Sequence, residues 1–147
     1  MSDGLDVMII DDEKEVCDVL VEHIEKFYTW GEVISCTSVE RAITYCRNRP
    51  GSIMIFVLDV FVNDNNGFYF LDAIADKYPN ACHDTIMITG NANDDVVDMC
   101  VASGVSHLLE KPVRPYALQL AVRAIVSKYL RFAKLILKDP DFAESIE

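Results

Sequence analysis

The sequence predicts an α/β fold, in which helices cover both faces of a doubly wound, five-stranded parallel sheet. Two observations predict it. Short apolar runs alternate with segments of helical period along most of the chain. In addition, 51% of the 147 residues are hydrophobic and 25% are charged, which is enough apolar material for one core of ordinary domain size. We therefore expect one folded domain with a parallel sheet at its centre.

Five short apolar runs are the predicted strands, at residues 5–10, 32–36, 53–58, 85–89 and 106–109. The first, third and fourth runs are almost continuously apolar, as expected for strands that helices cover on both faces. Right-handed crossovers between consecutive strands favour the strand order 2-1-3-4-5. Ligands of such sheets bind beyond the carboxyl ends of the strands, so we expect the functional site at that edge.

Five segments of helical period alternate with these strands. Apolar side chains recur at helical spacing in residues 13–27. A capping box in residues 37–40 is predicted to open the second helix, which ends before Pro50. The third, fourth and fifth helices are predicted at residues 67–78, 94–103 and 115 to about 137, the fourth ending at Gly104.

The apolar stripe of the last predicted helix continues beyond the length that can pack on the sheet. Alternating steps of four and three residues join its members, which are Leu118, Val122, Ile125, Tyr129, Phe132 and Ile136. Packing on the sheet accounts for the stripe up to about Ile125, so we divide the chain into a domain of residues 1–126 and a C-terminal extension of residues 127–147. The extension is interpreted either as a dimerisation helix, which would make a homodimer, or as the start of a linker to an output domain.

Charge and cysteine content exclude several classes of function. The net charge of −11 repels phosphate backbones, so we expect no direct binding to DNA or RNA. The five cysteines include no C-x-x-C pair and fit reduced thiols. The first ten residues lack the positive charges of a signal peptide, and no apolar run is long enough to span a membrane. The protein is therefore predicted to be cytoplasmic, without membrane binding.

Polar residues follow four of the predicted strands at the edge where ligands bind. Asp11 and Asp12 follow the first strand, Asp59 follows the third, Thr89 ends the fourth, and Lys111 comes just after the fifth. Three carboxylates brought together repel one another unless a cation neutralises them. Oxygen ligands select Mg²⁺, so the sequence predicts a magnesium site.

The same residues suit phosphoryl transfer. Asp59 can act as a nucleophile toward phosphorus when a metal offsets the charge repulsion, which yields an aspartyl phosphate. Lys111 offers a positive charge, and Thr89 offers a hydroxyl, to the oxygens of the transferring group. Taken singly, each of these residues is an ordinary cap or turn residue. The prediction depends on all of them meeting.

In this order and on these strands, the residues resemble the receiver domain of response regulators in two-component signal transduction, of the chemotaxis type. The resemblance covers residues 5–125 and includes Lys111-Pro112, Gly67 and the small-residue turn at 102–104. It implies a flavodoxin-like three-layer α/β/α sandwich, with residues 1–126 as the receiver domain. It also implies that Asp12 binds Mg²⁺ directly and Asp11 mostly through water. Asp59 would bind the metal and accept the phosphoryl group, and the carbonyl of Phe61 would complete the site.

The resemblance implies partners as well. The phosphoryl donor would be a phosphohistidine on a sensor histidine kinase or phosphotransfer domain, and the phosphorylated state would alter binding to an output domain or target protein. Such a domain is a signalling switch and not an enzyme. Thr89 and Lys111 would sense the phosphoryl group. The sequence departs from the family at Leu108, the switch position that is usually aromatic, and at Asn63, which is usually proline.

Two other functional classes stay open at this point. A phosphohydrolase of the haloacid dehalogenase type also uses an aspartyl nucleophile at a strand end, but it needs a D-x-D motif, and Phe61 stands at the second position. A receiver-like interaction module would bind partners without any phosphate. The departures at Leu108 and Asn63 keep this second alternative open.

Overall fold

A computed structural model describes residues 4–63 and 65–138. In chain order the elements are β1 (Val7–Ile10), α1 (Lys14–Glu25), β2 (Val33–Cys36), α2 (Val39–Asn48), β3 (Ile55–Asp59), β4 (Phe61–Val62), β5 (Asn65–Asn66), α3 (Gly67–Ile74), a 3-10 turn (Cys82–Asp84), β6 (Thr85–Thr89), α4 (Asp94–Ser103), β7 (His107–Glu110) and α5 (Pro115–Lys138). Five of these strands form the central sheet, in the order β2-β1-β3-β6-β7, and every neighbouring pair is parallel. Counted among themselves, they have the predicted order 2-1-3-4-5.

The core consists of two clusters, one on each face of the sheet. Side chains of a strand alternate between the faces. Val7 and Ile9 of β1 therefore pack with α1 and α5, whereas Met8 and Ile10 pack with α2, α3 and α4. Buried apolar side chains on both faces explain why the strands lack the polar alternation of a half-exposed sheet. The predicted three-layer α/β/α sandwich is confirmed.

The structure corrects several predicted boundaries. β1 and β3 begin two residues later than predicted and β2 begins one residue later, while β7 is shifted by one residue, to His107–Glu110. α1 ends at Glu25, and α3 ends at Ile74 instead of at residue 78. Beyond α3 the chain is held against the end of α2, because Lys77 Nζ and the Tyr78 hydroxyl both donate to the carbonyl of Cys46 (2.8 Å each). The N–H of Tyr78 still donates to the carbonyl of Ile74 (2.8 Å), so the chain leaves the helix in a last turn that packs against α2.

The predicted capping box at residues 37–40 is wrong in its register. Ser38 is the N-cap of α2, and its Oγ accepts the N–H of Arg41 (3.3 Å). Glu40 therefore does not occupy the third helical position, where it could bond back to the cap. Its Oε1 instead accepts from the Asn65 side-chain amide (3.2 Å), which connects α2 to the segment after β3. The predicted end of α4 is confirmed, since Gly104 has φ +82° and caps the helix.

α5 is anchored to the body of the domain by a buried carboxylate. Asp84 is 1% exposed and accepts hydrogen bonds from Lys128 Nζ and from the Tyr129 hydroxyl. Burial, together with the bond to Asp84, raises the pKa of Tyr129. α5 continues to Lys138 as predicted, and residues 139–147 of the predicted extension lie outside the described part of the chain. The division of the chain at residue 126 stays a prediction.

Replacing Asp84 with Asn is expected to lower the free energy of unfolding by about 2 kcal/mol. An asparagine at position 84 carries no charge to pair with Lys128 and has only one oxygen that can accept a hydrogen bond. About half of the Lys128 side chain is exposed, so solvent screening keeps the loss of stability moderate. Urea denaturation measures the change. The exposed Asp98→Asn on α4 is the control, expected within about 0.5 kcal/mol of the wild type. Equal stability of the two variants would contradict an anchoring role for Asp84.

Candidate functional site

Three carboxylates meet where β1 and β3 end. The two strands are parallel neighbours in register, with Ile10 beside Leu58, so the residues that follow lie at one edge. One oxygen from each of Asp11, Asp12 and Asp59 lies within 4.8 Å of the other two. Asp11 is 2% and Asp59 7% exposed, whereas Asp12 is open to solvent. The predicted carboxylate cluster is therefore formed, with one member on its outer side.

Lys111 neutralises part of this negative charge. Its Nζ lies 2.8 Å from Asp59 Oδ2 and 3.1 Å from Asp11 Oδ2. Burial alone would lower the pKa of Lys111, but the hydrogen bonds and charges of the two carboxylates outweigh burial and raise it. Burial raises the pKa of Asp11, against the hydrogen bonds from the Glu13 N–H and from Lys111. Desolvated carboxylates that share one ammonium are a set of oxygen ligands suited to a hard cation.

The Asp59 carboxylate is held in one orientation by its surroundings. Oδ1 accepts the N–H of Phe61 (3.1 Å), while Oδ2 faces Lys111. Gly67, at the start of α3, passes so close behind the aspartate that a Cβ there would lie 2.8 Å from the Asp59 carbonyl oxygen and 2.9 Å from Leu58 Cγ. A residue with a side chain at position 67 would displace the end of β3, which explains the need for glycine.

Asp12 is tied to the segment after β3 by Asn63. The N–H of Asn63 donates to Asp12 Oδ2 (3.3 Å), and Asn63 has φ +56°, the left-handed conformation that asparagine tolerates. The turn joins β4 to β5, which pair as a short antiparallel ribbon that the sequence did not predict. Proline, with φ fixed near −65° and no N–H, suits neither the turn nor the bond.

Thr89 and Leu108 belong to the two strands beyond β3, since β6 pairs with β3 and β7 pairs with β6. Thr89 is buried at the end of β6, and its Oγ1 bonds to the carbonyl and N–H of Asn91 (3.1 and 3.2 Å). The N–H of Lys111 donates to the Thr89 carbonyl (2.8 Å), so β6 and the lysine are directly connected. Leu108 of β7 packs, partly buried, against the core face of α2, α3 and α4. The predicted switch roles of both residues stay predictions.

Comparison with known proteins places this geometry in a family. Residues 7–123 match the response regulator receiver domain family. The chain belongs to this family. It is thus a receiver domain of the kind found in the response regulators of two-component systems, and the flavodoxin-like fold implied by the resemblance is confirmed.

Three individual proteins that the chain resembles are 19% to 25% identical to it. The chain is 25% identical, over 122 residues, to the transcriptional regulatory protein CitT of Halalkalibacterium halodurans, covering 83% of this chain and 52% of that protein. It is similar in structure to a CheY-like receiver domain protein from Methanospirillum hungatei, with 19% identity, TM-score 0.73, and 87% and 98% of the two chains covered. It also resembles a Burkholderia pseudomallei response regulator whose structure has a phosphorylated aspartic acid and a calcium ion, with 19% identity, TM-score 0.67, and 93% and 76% coverage. The chain spans about half the length of the curated relative.

Sequence reasoning missed two residues that shape this receiver domain. Glu110, the last residue of β7, accepts the N–H of Ala92 (3.0 Å), and the Cys17 thiol donates to the Asp11 carbonyl (3.3 Å). Glu110 stands directly before Lys111 in the sequence, and this position was the one available signal for it.

In the described part of the chain, no helix is long and apolar enough to cross a membrane.

Introducing the proline usual in the family, Asn63→Pro, is expected to harm this chain. We expect a loss of about 1–3 kcal/mol in unfolding free energy, because proline can neither adopt the positive φ nor donate to Asp12. Asn63→Gly keeps both properties and serves as the matched variant, expected within about 1 kcal/mol of the wild type. Thermal denaturation of the two variants measures the difference, and a proline variant as stable as the glycine variant would contradict the assigned turn.

Proposed function

We propose that this receiver domain accepts a phosphoryl group on Asp59, from a phosphohistidine on a sensor histidine kinase or a phosphotransfer domain, in a magnesium-dependent reaction. The observation that carries the proposal is the clustering of Asp11, Asp12 and Asp59 within 4.8 Å, with Lys111 bound to two of the three. A purely structural ion pair needs only one carboxylate, and two carboxylates in excess of the lysine are costly without a further cation.

The donor set fits Mg²⁺. Asp12 and Asp59 would hold the ion directly, Asp11 through water, and the Phe61 carbonyl would add a neutral oxygen. When bound, the ion would neutralise charge between the carboxylate and the incoming phosphoryl oxygens. The phosphorylated aspartic acid and calcium ion in the Burkholderia pseudomallei regulator support both parts of the proposal.

Asp59 is placed to act as the nucleophile. The Phe61 N–H and Lys111 hold its two oxygens in one orientation, so little rotational freedom is lost on reaching the transition state. A new bond forms between an Asp59 oxygen and phosphorus while the phosphorus–nitrogen bond of the donor breaks, and the imidazole keeps that electron pair. Lys111 then stabilises charge on the transferred group, and the Thr89 hydroxyl turns toward it. The chain is modified once per event, as a switch and not as an enzyme.

The output of this switch is proposed to pass through the face of α4 and α5, and the distal part of α5 is proposed to serve as a dimerisation helix or as a linker to an output domain. Phe132 and Leu135 are partly exposed there, and they line a groove of about 820 Å³ between this part of the helix and the amino end of the sheet. Such apolar surface suits either a second copy of the chain or an output domain. Sedimentation velocity with and without beryllofluoride distinguishes the two, since only a homodimer changes the mass of the isolated chain.

Phosphotransfer from acetyl phosphate tests the proposed function. Intact mass measurement is expected to show one added phosphoryl group in the presence of Mg²⁺ and none with a chelator. Release of inorganic phosphate separates the alternatives once excess acetyl phosphate has been removed and a phosphomonoester is supplied instead: a phosphohydrolase turns over many equivalents, whereas a phosphoacceptor releases at most the one equivalent that it carries. No adduct under either condition would favour an interaction module that needs no phosphate.

A further inference from the structure

The loop that follows β6 is held by two sets of hydrogen bonds. Thr89 Oγ1 donates to the carbonyl of Asn91 and accepts the N–H of the same residue (3.1 and 3.2 Å). One residue further on, the N–H of Ala92 donates to Oε2 of Glu110 (3.0 Å). The carboxylate at the end of β7 is thereby joined to the middle of the loop of residues 90–93.

These bonds oppose the movement that the phosphorylated state requires. The Thr89 hydroxyl has one proton, which is donated to the Asn91 carbonyl, so Thr89 must leave that carbonyl before it can donate to a phosphoryl oxygen on Asp59. Because the Asn91 N–H is bound to the same hydroxyl, the loop backbone has to rearrange as Thr89 turns. Ala92 is the next residue of this loop, so any rearrangement that moves Ala92 away from β7 has to break its bond to Glu110.

We propose that Glu110 is a positioning residue that stabilises the unphosphorylated arrangement of the loop and so sets how readily the domain switches. The inference rests on the phosphoacceptor function proposed above and adds its regulation. Glu110 acts through residues 90–93 and Thr89. Removing its hydrogen bond therefore favours the switched arrangement without changing the carboxylate cluster.

Two variants separate the hydrogen bond from the charge. Glu110→Ala removes both, whereas Glu110→Gln removes the charge and keeps an oxygen that can accept from Ala92. With Mg²⁺ present, NMR titration with beryllofluoride, a phosphoryl mimic, is expected to show binding about threefold to tenfold tighter in the alanine variant than in the glutamine variant. The glutamine variant should stay close to the wild type. Equal affinities in the two variants would overturn the proposal.

Hydrogen exchange of the Ala92 amide supplies a second readout in the free protein. We expect faster exchange in Glu110→Ala than in Glu110→Gln, with no matching change at the amides of β1 or β3. Equal exchange at Ala92 would show that Glu110 does not hold the loop. A wild type that ignores beryllofluoride would instead contradict the phosphoacceptor function, and the Ala92 amide would still decide whether the bond restrains the loop.

Discussion

Asp59→Asn is expected to abolish phosphoryl acceptance, with a rate from acetyl phosphate lower than the wild type by about 10³-fold or more. The amide nitrogen is a poor nucleophile, and the substitution also removes one anionic ligand from the predicted magnesium site. The fold should survive, because the amide is isosteric and Lys111 keeps its 3.1 Å contact with Asp11. Intact mass spectrometry against time measures the rate.

A carboxylate elsewhere on the domain provides the control for this prediction. Asp98 lies exposed on α4, away from β1 and β3, so Asp98→Asn makes the same chemical change outside the cluster. It is expected to accept the phosphoryl group at the wild-type rate. If Asp59→Asn formed the adduct and Asp98→Asn did not, the assignment of the acceptor to Asp59 would be wrong.

Lys111→Met is expected to have two effects of opposite sign. Transfer should slow by about 10²-fold, because a charged donor to the phosphoryl oxygens is lost. Magnesium should bind more tightly, because the ammonium competes with the ion for Asp11 Oδ2 and Asp59 Oδ2, at 3.1 and 2.8 Å. Methionine preserves the length of the apolar stem, so the change is confined to the loss of the ammonium. Calorimetric titration with Mg²⁺ and the acetyl phosphate assay together measure both effects.

Lys14→Met is the matched control for the lysine variant. Lys14 lies at the start of α1, close to the cluster in sequence, but its side chain is exposed and pairs with Asp18. Neither Mg²⁺ affinity nor transfer rate should change by more than about twofold. If Lys111→Met weakened Mg²⁺ binding, the competition between the ammonium and the ion would be refuted.

The gathering of the site residues could be predicted because it depends on backbone regularity. Carboxyl ends of adjacent parallel strands share an edge, so Asp11, Asp12 and Asp59 must meet once β1 and β3 pair in register. The continuous apolar runs identified those strands, since helices on both faces leave no place for alternating polar residues. The position of Lys111 followed from the same rule applied to β7.

Contacts between distant side chains and loops could not be predicted in this way. Asp84 meets Lys128 across 44 residues, and Asn63 meets Asp12 across 51. The bond from Ala92 to Glu110 spans 18. These contacts depend on turn conformations, such as φ +56° at Asn63, that no hydrophobic period encodes. The end of α3 was missed for a related reason, because Lys77 and Tyr78 bond to the end of α2, a contact between distant segments that helix propensity does not encode.

A crystal structure with Mg²⁺ and beryllofluoride tests most directly whether the clustered carboxylates form a metal-dependent phosphoryl acceptor. We predict a beryllium atom bonded to an Asp59 oxygen, a magnesium ion ligated by Asp12 and Asp59, and Lys111 in contact with a fluorine. Density for either group elsewhere on the domain, or an Asp59 carboxylate still bound only to Lys111 and Phe61 at saturating ligand, would contradict the proposed function.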